Sequence, residues 1–178
     1  MKLKHLVIGL CVLVLASVAG ILSLAPDATA RAPDLTVNSL QGEAVRVGQL
    51  RGGPLLVSFW ASTCRTCIRE IPHLVELHEE FSPRGLEILA IAMAYDPPNR
   101  VVELSRMMKL PYTVALDLDG EAARAFGDVE QTPTAFLIGA DGRIVYRGTG
   151  SMDTERIRAL LADMTVMHTV QADPVATR

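Results

Sequence analysis

The sequence predicts an α/β sandwich, a mixed β-sheet with helices on its faces. Three observations predict it. The runs from Leu55 to Trp60 and from Leu86 to Met93 are short and almost wholly apolar, which suits strands buried on both faces of a covered sheet. Segments with apolar residues at three-to-four spacing alternate with these runs. Near the end the order changes to two strands joined by Asp141-Gly142, a hairpin signal, so the sheet cannot be wholly parallel.

The elements follow in order. Arg31 to Asp34 is a linker containing Pro33, and Leu35 to Val37 and Ala44 to Val47 read as short strands around the Gln41-Gly42 turn. Gly48 to Pro54 is a loop punctuated by Gly52-Gly53-Pro54. After the first buried strand a helix is predicted from Thr63 to Phe81. Ile68, Ile71, Leu74, Val75, Leu77 and His78 lie along one side of it, and Pro72 should kink it. Ser82-Pro83-Arg84-Gly85 ends this helix, and the second buried strand follows. Asp96-Pro97-Pro98-Asn99 is a helix-start signal for a helix from Arg100 to Met108. Val114 to Leu116 is a third strand, Asp119-Gly120 a turn and Glu121 to Phe126 a short helix. Glu130-Gln131-Thr132-Pro133-Thr134 feeds a strand from Ala135 to Ile138, whose hairpin partner runs from Ile144 to Arg147. Thr154 to Met164 is a last amphipathic helix. The tail after His168 lacks periodicity and is expected to be loose.

Length and charge narrow the function. The chain has 178 residues and a net charge of −3. Beyond residue 30, about 150 residues remain, enough to bury roughly 70% of the unfolded surface without covalent staples. No run of Lys and Arg supplies the basic footprint that nucleic acid needs, so that partner is excluded. Lys2, Lys4 and His5 precede an uncharged apolar run from Leu6 to Ala25. About twenty residues at ~1.5 Å each cross a hydrocarbon core of roughly 30 Å. The positive flank keeps the N-terminus in the cytoplasm and sends the rest across. The length of the run favours an uncleaved membrane anchor. Ala28-Thr29-Ala30 is a small-residue cleavage site, so residues 1–30 also read as a signal peptide. On either reading, residues 31–178 form one domain on the periplasmic or extracytoplasmic side, expected to act as a monomer. Cys11 comes too early, and after too bulky a residue in Leu10, for a lipidated cysteine. It reads as a membrane-facing apolar residue.

The remaining cysteines, Cys64 and Cys67, stand where a buried strand passes into a helix. One close pair in a full-sized domain points to redox chemistry or metal binding rather than to a disulfide framework. Cys64 falls at the helix N-terminus, where unpaired N–H groups and the dipole stabilise a thiolate, the reactive form. Arg65 adds positive charge beside it. Cys67, one turn on and on the same side, can attack a mixed disulfide at Cys64. Cys64 is therefore the candidate nucleophile and Cys67 the resolving cysteine. A zinc site would need two more ligands, and His73, His78 and His168 have no ligand spacing. Two inert core cysteines, or copper held by the pair in a non-catalytic metal-binding module, are the other readings. Met107, Met108 and Tyr95 read as packing residues rather than a cofactor box, and His73 as a surface residue.

The segment from Phe59 to Pro72, Phe-Trp-Ala-Ser-Thr-Cys-Arg-Thr-Cys-Ile-Arg-Glu-Ile-Pro, resembles the active-site segment of the thioredoxin superfamily. More narrowly it resembles the membrane-anchored, extracytoplasmic TlpA-like and ResA-like proteins, with the cytochrome c maturation thioredoxins close by. The likeness runs from about Ala32 to Leu161. It takes in Ala32-Pro33-Asp34-Leu35, Trp60, Glu70, Pro72, Thr132-Pro133, Phe136-Leu137-Ile138 and Asp141-Gly142. It implies a thioredoxin-like fold with Pro133 in the cis form, packed against the disulfide, and Thr132 offering its backbone to an extended substrate. It also implies that Glu70 moves protons during exchange and that Trp60 caps the site, with Arg65 and Thr66 on the client-facing rim. The chain departs from the pattern at Ser58, where cytoplasmic thioredoxins place a buried acid, and at Arg65-Thr66, where they place Gly-Pro. The first departure leaves acid–base work to Glu70 or water.

The resemblance implies a reductase of disulfide-containing client proteins, such as those of cytochrome c maturation or copper-site assembly. A membrane electron donor would keep the pair reduced, with no bound cofactor or metal. A peroxiredoxin-like peroxidase is the alternative enzyme. It needs a threonine three residues before the reactive cysteine, and Ala61 stands there.

Overall fold

A strand apolar on both faces of its pleat belongs at the centre of a covered sheet. The computed structural model describes residues 30–49 and 53–171. Along the chain lie β1 (Thr36–Ser39), β2 (Ala44–Arg46), β3 (Leu55–Trp60), α1 (Arg65–Phe81), β4 (Glu87–Ala92) and α2 (Pro98–Met107). Then come β5 (Thr113–Leu116), α3 (Glu121–Ala125), β6 (Thr134–Ile138), β7 (Ile144–Thr149) and α4 (Thr154–Gln171). The described strands form one mixed sheet in the order β2-β1-β5-β4-β3-β6-β7. β3, β4 and β5 are parallel, and β6 is antiparallel to both β3 and β7. β1 runs antiparallel to β5 and to β2. The two apolar runs are thus neighbours in the interior of the sheet, and every residue of β3 is buried.

Alternation sorts the β3 side chains between two cores. Leu55, Val57 and Phe59 join Phe126, Phe136 and Ile138 on one face. There the rings of Phe59, Phe126 and Phe136 pack edge-on or tilted, with centroids 5.4, 6.1 and 4.9 Å apart. Leu56 and Trp60 join Leu74, Leu77, Phe81 and Ile157 on the other. One close approach needs glycine. A Cβ on Gly53 would collide with the Gly85 carbonyl, so the close approach of the loops entering β3 and β4 requires glycine at this position.

Some element ends differ from expectation. α1 begins at Arg65 rather than Thr63, because Cys64 is extended (φ −82°, ψ 104°) and serves as its N-cap. The helix continues through Pro72 as one element, and the carbonyl of Ile68 gives up its usual donor there. α2 begins at Pro98 rather than Arg100, since proline is already set for the first helical turn. α4 runs past Met164 to Gln171, so the expected loose tail does not begin at His168. No Gly or Pro interrupts Thr165 to Gln171, so nothing there stops a helix. The apolar run from Leu6 to Ala25 and residues 172–178 lie outside the described residues.

Candidate active site

The site forms where β3 ends. Its last residue, Trp60, leads through Ala61-Ser62-Thr63 to Cys64. Cys64 and Cys67 are joined as a disulfide with their Cα atoms 5.2 Å apart. Cys64 Sγ accepts a hydrogen bond from the backbone N–H of Cys67 at 3.2 Å. One of the orphan donors of the first helical turn is thus aimed at the sulfur. After reduction the same donor and the helix dipole favour a thiolate on Cys64. Cys64 is half-buried and Cys67 is 4% exposed, so Cys64 is the sulfur open to a partner. Arg65 is exposed beside it, and Thr66 is half-buried, accepting a hydrogen bond from Arg69 Nη2 at 3.2 Å.

Two distant loops complete the site. β6 is antiparallel to β3, so its N-terminal end lies where β3 finishes, and this brings Thr132-Pro133 to the cysteines. The Thr132–Pro133 peptide bond is cis. The Thr132 carbonyl lies 3.5 Å from Cys64 Sγ, within reach of the proton that a reduced thiol carries. From the end of β4 comes a loop holding Tyr95 and Asp96. The Tyr95 hydroxyl lies 3.3 Å from Thr132 Oγ1. Asp96, only 4% exposed, accepts from the Ser62 backbone N–H and, at 2.6 Å, from the Ser62 hydroxyl. Sequence reasoning missed both residues. Asp96 read as part of a helix start, yet its carboxylate faces the cysteine loop, and α2 has no side-chain cap. Tyr95 read as core or surface packing, and at 59% exposed it lies at the surface. The usable signal was position, since loops after adjacent parallel strands leave the sheet at one end.

Beneath the disulfide is a cavity of about 10 Å³, walled by Ser58, Trp60, Cys67, Glu70, Tyr112 and Pro133. That is about the space one water centre needs. Glu70 is buried rather than on the solvated face of α1, and its Oε1 accepts from the Met152 backbone N–H at 2.6 Å. Burial pushes its carboxyl above the usual carboxylate range; the Met152 bond and the charges of His73 and Arg69 oppose this. Burial also pushes the Tyr112 phenol up, so it stays neutral. Trp60 is 4% exposed and lines the cavity from within, its Nε1–H without a protein partner among the described residues. Ser58 forms part of the cavity wall. Among the described residues no cluster of His, Cys, Asp and Glu is arranged to hold a metal ion. His73 is on the surface, 3.6 Å from Glu76.

Residues 28–147 match the profile of the AhpC/TSA family. Among curated proteins, the chain is 32% identical over 127 residues to the thiol-disulfide oxidoreductase ResA of Geobacillus thermodenitrificans, covering 71% of this chain and 72% of that one. The ResA of Bacillus thuringiensis subsp. konkukian is 29% identical over 134 residues, 75% of this chain and 76% of its own. The chain belongs to the AhpC/TSA family. It is a thiol-disulfide oxidoreductase. Solved structures agree on the fold. A thioredoxin-family thiol:disulfide interchange protein of Chlorobium tepidum superposes with a TM-score of 0.69 at 23% identity, over 79% of this chain and 99% of its own. A secreted Mycobacterium tuberculosis disulfide oxidoreductase homologous to E. coli DsbE gives 0.65 at 20% identity, over 73% and 96%.

Proposed function

We propose that this oxidoreductase works outside the cytoplasm as a reductase of client-protein disulfides, with Cys64 as nucleophile and Cys67 as resolving cysteine. The carrying observation is the arrangement at Cys64, which is half-open, caps α1 and accepts the Cys67 N–H. In the reduced protein the Cys64 thiolate attacks one sulfur of a client disulfide and releases the other as a thiol. Cys67 then gives up its proton and attacks Cys64, which frees the second client thiol and leaves the Cys64–Cys67 disulfide. Two electrons pass from the protein to the client. Glu70 lines the same cavity as Cys67; its carboxylate form can take that proton, and burial, by raising its affinity for a proton, makes it a stronger base for the step. Thr132 and Pro133 receive the client backbone, and Arg65 and Thr66 form the rim. Trp60 supports the pair from below.

Supporting the location are the charged flank and apolar run of residues 6–25, read as an anchor to the inner or cytoplasmic membrane or as part of a signal peptide within residues 1–30. The domain is then 31–178. An oxidising compartment requires a donor, so a membrane electron carrier re-reduces the pair. Haem-binding cysteines of apocytochrome c and thiols of a copper-site protein fit as clients. A peroxidase has no support at Ala61, which is fully buried and carries no hydroxyl.

The test is the reduction potential of the Cys64–Cys67 pair, measured in glutathione or dithiothreitol buffers. A value near or below about −250 mV is expected, and one near about −120 mV would reverse the direction. A pair that does not titrate would return metal binding to the front.

A further inference from the structure

The cavity beneath the disulfide shares a wall with a second space. Cys67 and Glu70 bound the cavity on one side, and Leu110 and Tyr112 bound it on another. Leu110 and Tyr112 also line a groove of about 400 Å³ between α2 and the turn that joins β1 to β2. Gln41, Arg106 and Lys109 line the groove too and are exposed, so it is open to solvent. Tyr112 precedes β5, which runs parallel to β4. The groove therefore lies toward the end of the sheet away from Cys64 and Thr132. Among the described residues three buried side-chain polar atoms have no protein partner, and all three flank this wall. Trp60, with its Nε1–H, belongs to the cavity, and Ser105, with its Oγ, to the groove. His78, with its Nδ1, packs its ring edge-on to Tyr112 with centroids 6.3 Å apart. Buried polar groups are satisfied by protein or by water, and the cavity has about the space of one water centre.

We propose that Leu110 and Tyr112 form a rear passage, through which the proton that Glu70 takes from Cys67 reaches the solvent of the groove while a client occupies the cysteine end. This rests on the reading of Glu70 as the base of the resolving step. Cys67 is only 4% exposed, and a client joined to Cys64 covers the opening that remains. As Cys67 sulfur bonds to Cys64 sulfur, its proton passes to the Glu70 carboxylate and the bond from Cys64 to the client breaks, the client sulfur leaving with the electron pair. Glu70 must then lose the proton before the next turnover. Of the two shared residues only Tyr112 carries a polar side-chain group. Burial keeps that phenol neutral, so it can accept and donate. It takes one proton from the cavity side and gives its own to water in the groove, which leaves Tyr112 unchanged and Glu70 again a carboxylate. Leu110 sets the width of the passage.

The test uses the full chain in detergent, reduced with dithiothreitol and then freed of it. A peptide with one intramolecular disulfide is added in excess, and acid-quenched samples are read by intact mass. The transient adduct at Cys64 reports attack, and its conversion to the Cys64–Cys67 disulfide reports resolution. Tyr112→Phe is expected to slow resolution about tenfold and to leave attack within about twofold of the parent. Adding Leu110→Ala, which widens the passage for water, should bring the resolution of Tyr112→Phe back to within about threefold of the parent. In a Glu70→Gln background, where resolution is already slow, Tyr112→Phe should change it by less than about twofold, since both act on one path. Resolution unchanged in Tyr112→Phe, or slowed in full on top of Glu70→Gln, would overturn the passage. So would attack and resolution falling together with Leu110→Ala lowering both further, the mark of a packing role. If Glu70→Gln resolves as fast as the parent, the base reading falls and the passage with it, while exchange at Cys64 stands. If the parent reduces neither the peptide nor hydroxyethyl disulfide, exchange itself falls and takes the passage with it.

Discussion

Glu70 sits where its own charge is the costly form. Its folded-state affinity for a proton is raised by burial, so between the ordinary carboxylate value of about 4.3 and the raised value the native protein holds more protons than the unfolded one. Stability contributed by the neutral form is complete below that window and is lost as pH rises through it. Glu70→Gln removes the titration. Urea midpoints taken across this range should show the parent losing stability relative to the variant as pH rises, and parallel curves would show that Glu70 is not the group responsible. The sequence placed this acid near the cysteines only through the resemblance, since a charged residue does not join an apolar periodicity; in the structure Glu70 is buried with Cys67, Ile71 and Leu74 on one helix face. What spacing could not supply was the Met152 N–H that holds it, because that contact spans 82 positions.

At the scale of elements, the loop between β4 and α2 fastens the cysteine loop. Asp96 is a buried carboxylate with both oxygens used by Ser62. Removing it strands the Ser62 backbone N–H as well as the hydroxyl, whereas Ser62→Ala removes the hydroxyl alone. Asp96→Ala should therefore cost about 1.5–3 kcal/mol and Ser62→Ala about 0.5–1.5 kcal/mol. The double variant should fall short of the sum, since both act on one contact. Denaturation midpoints of the four proteins check this, and strict additivity would mean that the two residues are independent. The central strands were plain from the sequence because Leu55 to Trp60 and Leu86 to Met93 are almost wholly apolar, short and bounded by Gly and Pro, a pattern that suits a doubly covered sheet. Helix starts were less plain. A carboxylate before Pro97-Pro98 is locally indistinguishable from a cap, and only the fold reveals that it bonds to a loop 34 residues away.

At the scale of the whole molecule, the strand order brings the half-open Cys64 and the buried Cys67 together with two loops from elsewhere in the chain. The asymmetry between the cysteines gives the variants opposite outcomes. Cys67→Ser keeps the attacking sulfur and loses the resolving one, so incubation of the reduced variant with a disulfide peptide should accumulate a covalent adduct at Cys64. Cys64→Ser should accumulate little. Intact-mass measurement distinguishes them, and equal adducts on both variants would contradict the assigned order of attack.

The 68 positions between Cys64 and Thr132 bear on how the protein is made. A chain that emerges N-terminus first delivers both cysteines together, well before the strand that carries the facing loop. Its thiols are chemically complete while the loop that faces them is still unmade. During that interval the pair meets small oxidants and neighbouring chains before the Thr132 carbonyl is in place against Cys64. Closure of the redox disulfide in the newborn chain would shield it, leaving its first reduction to follow completion of the fold.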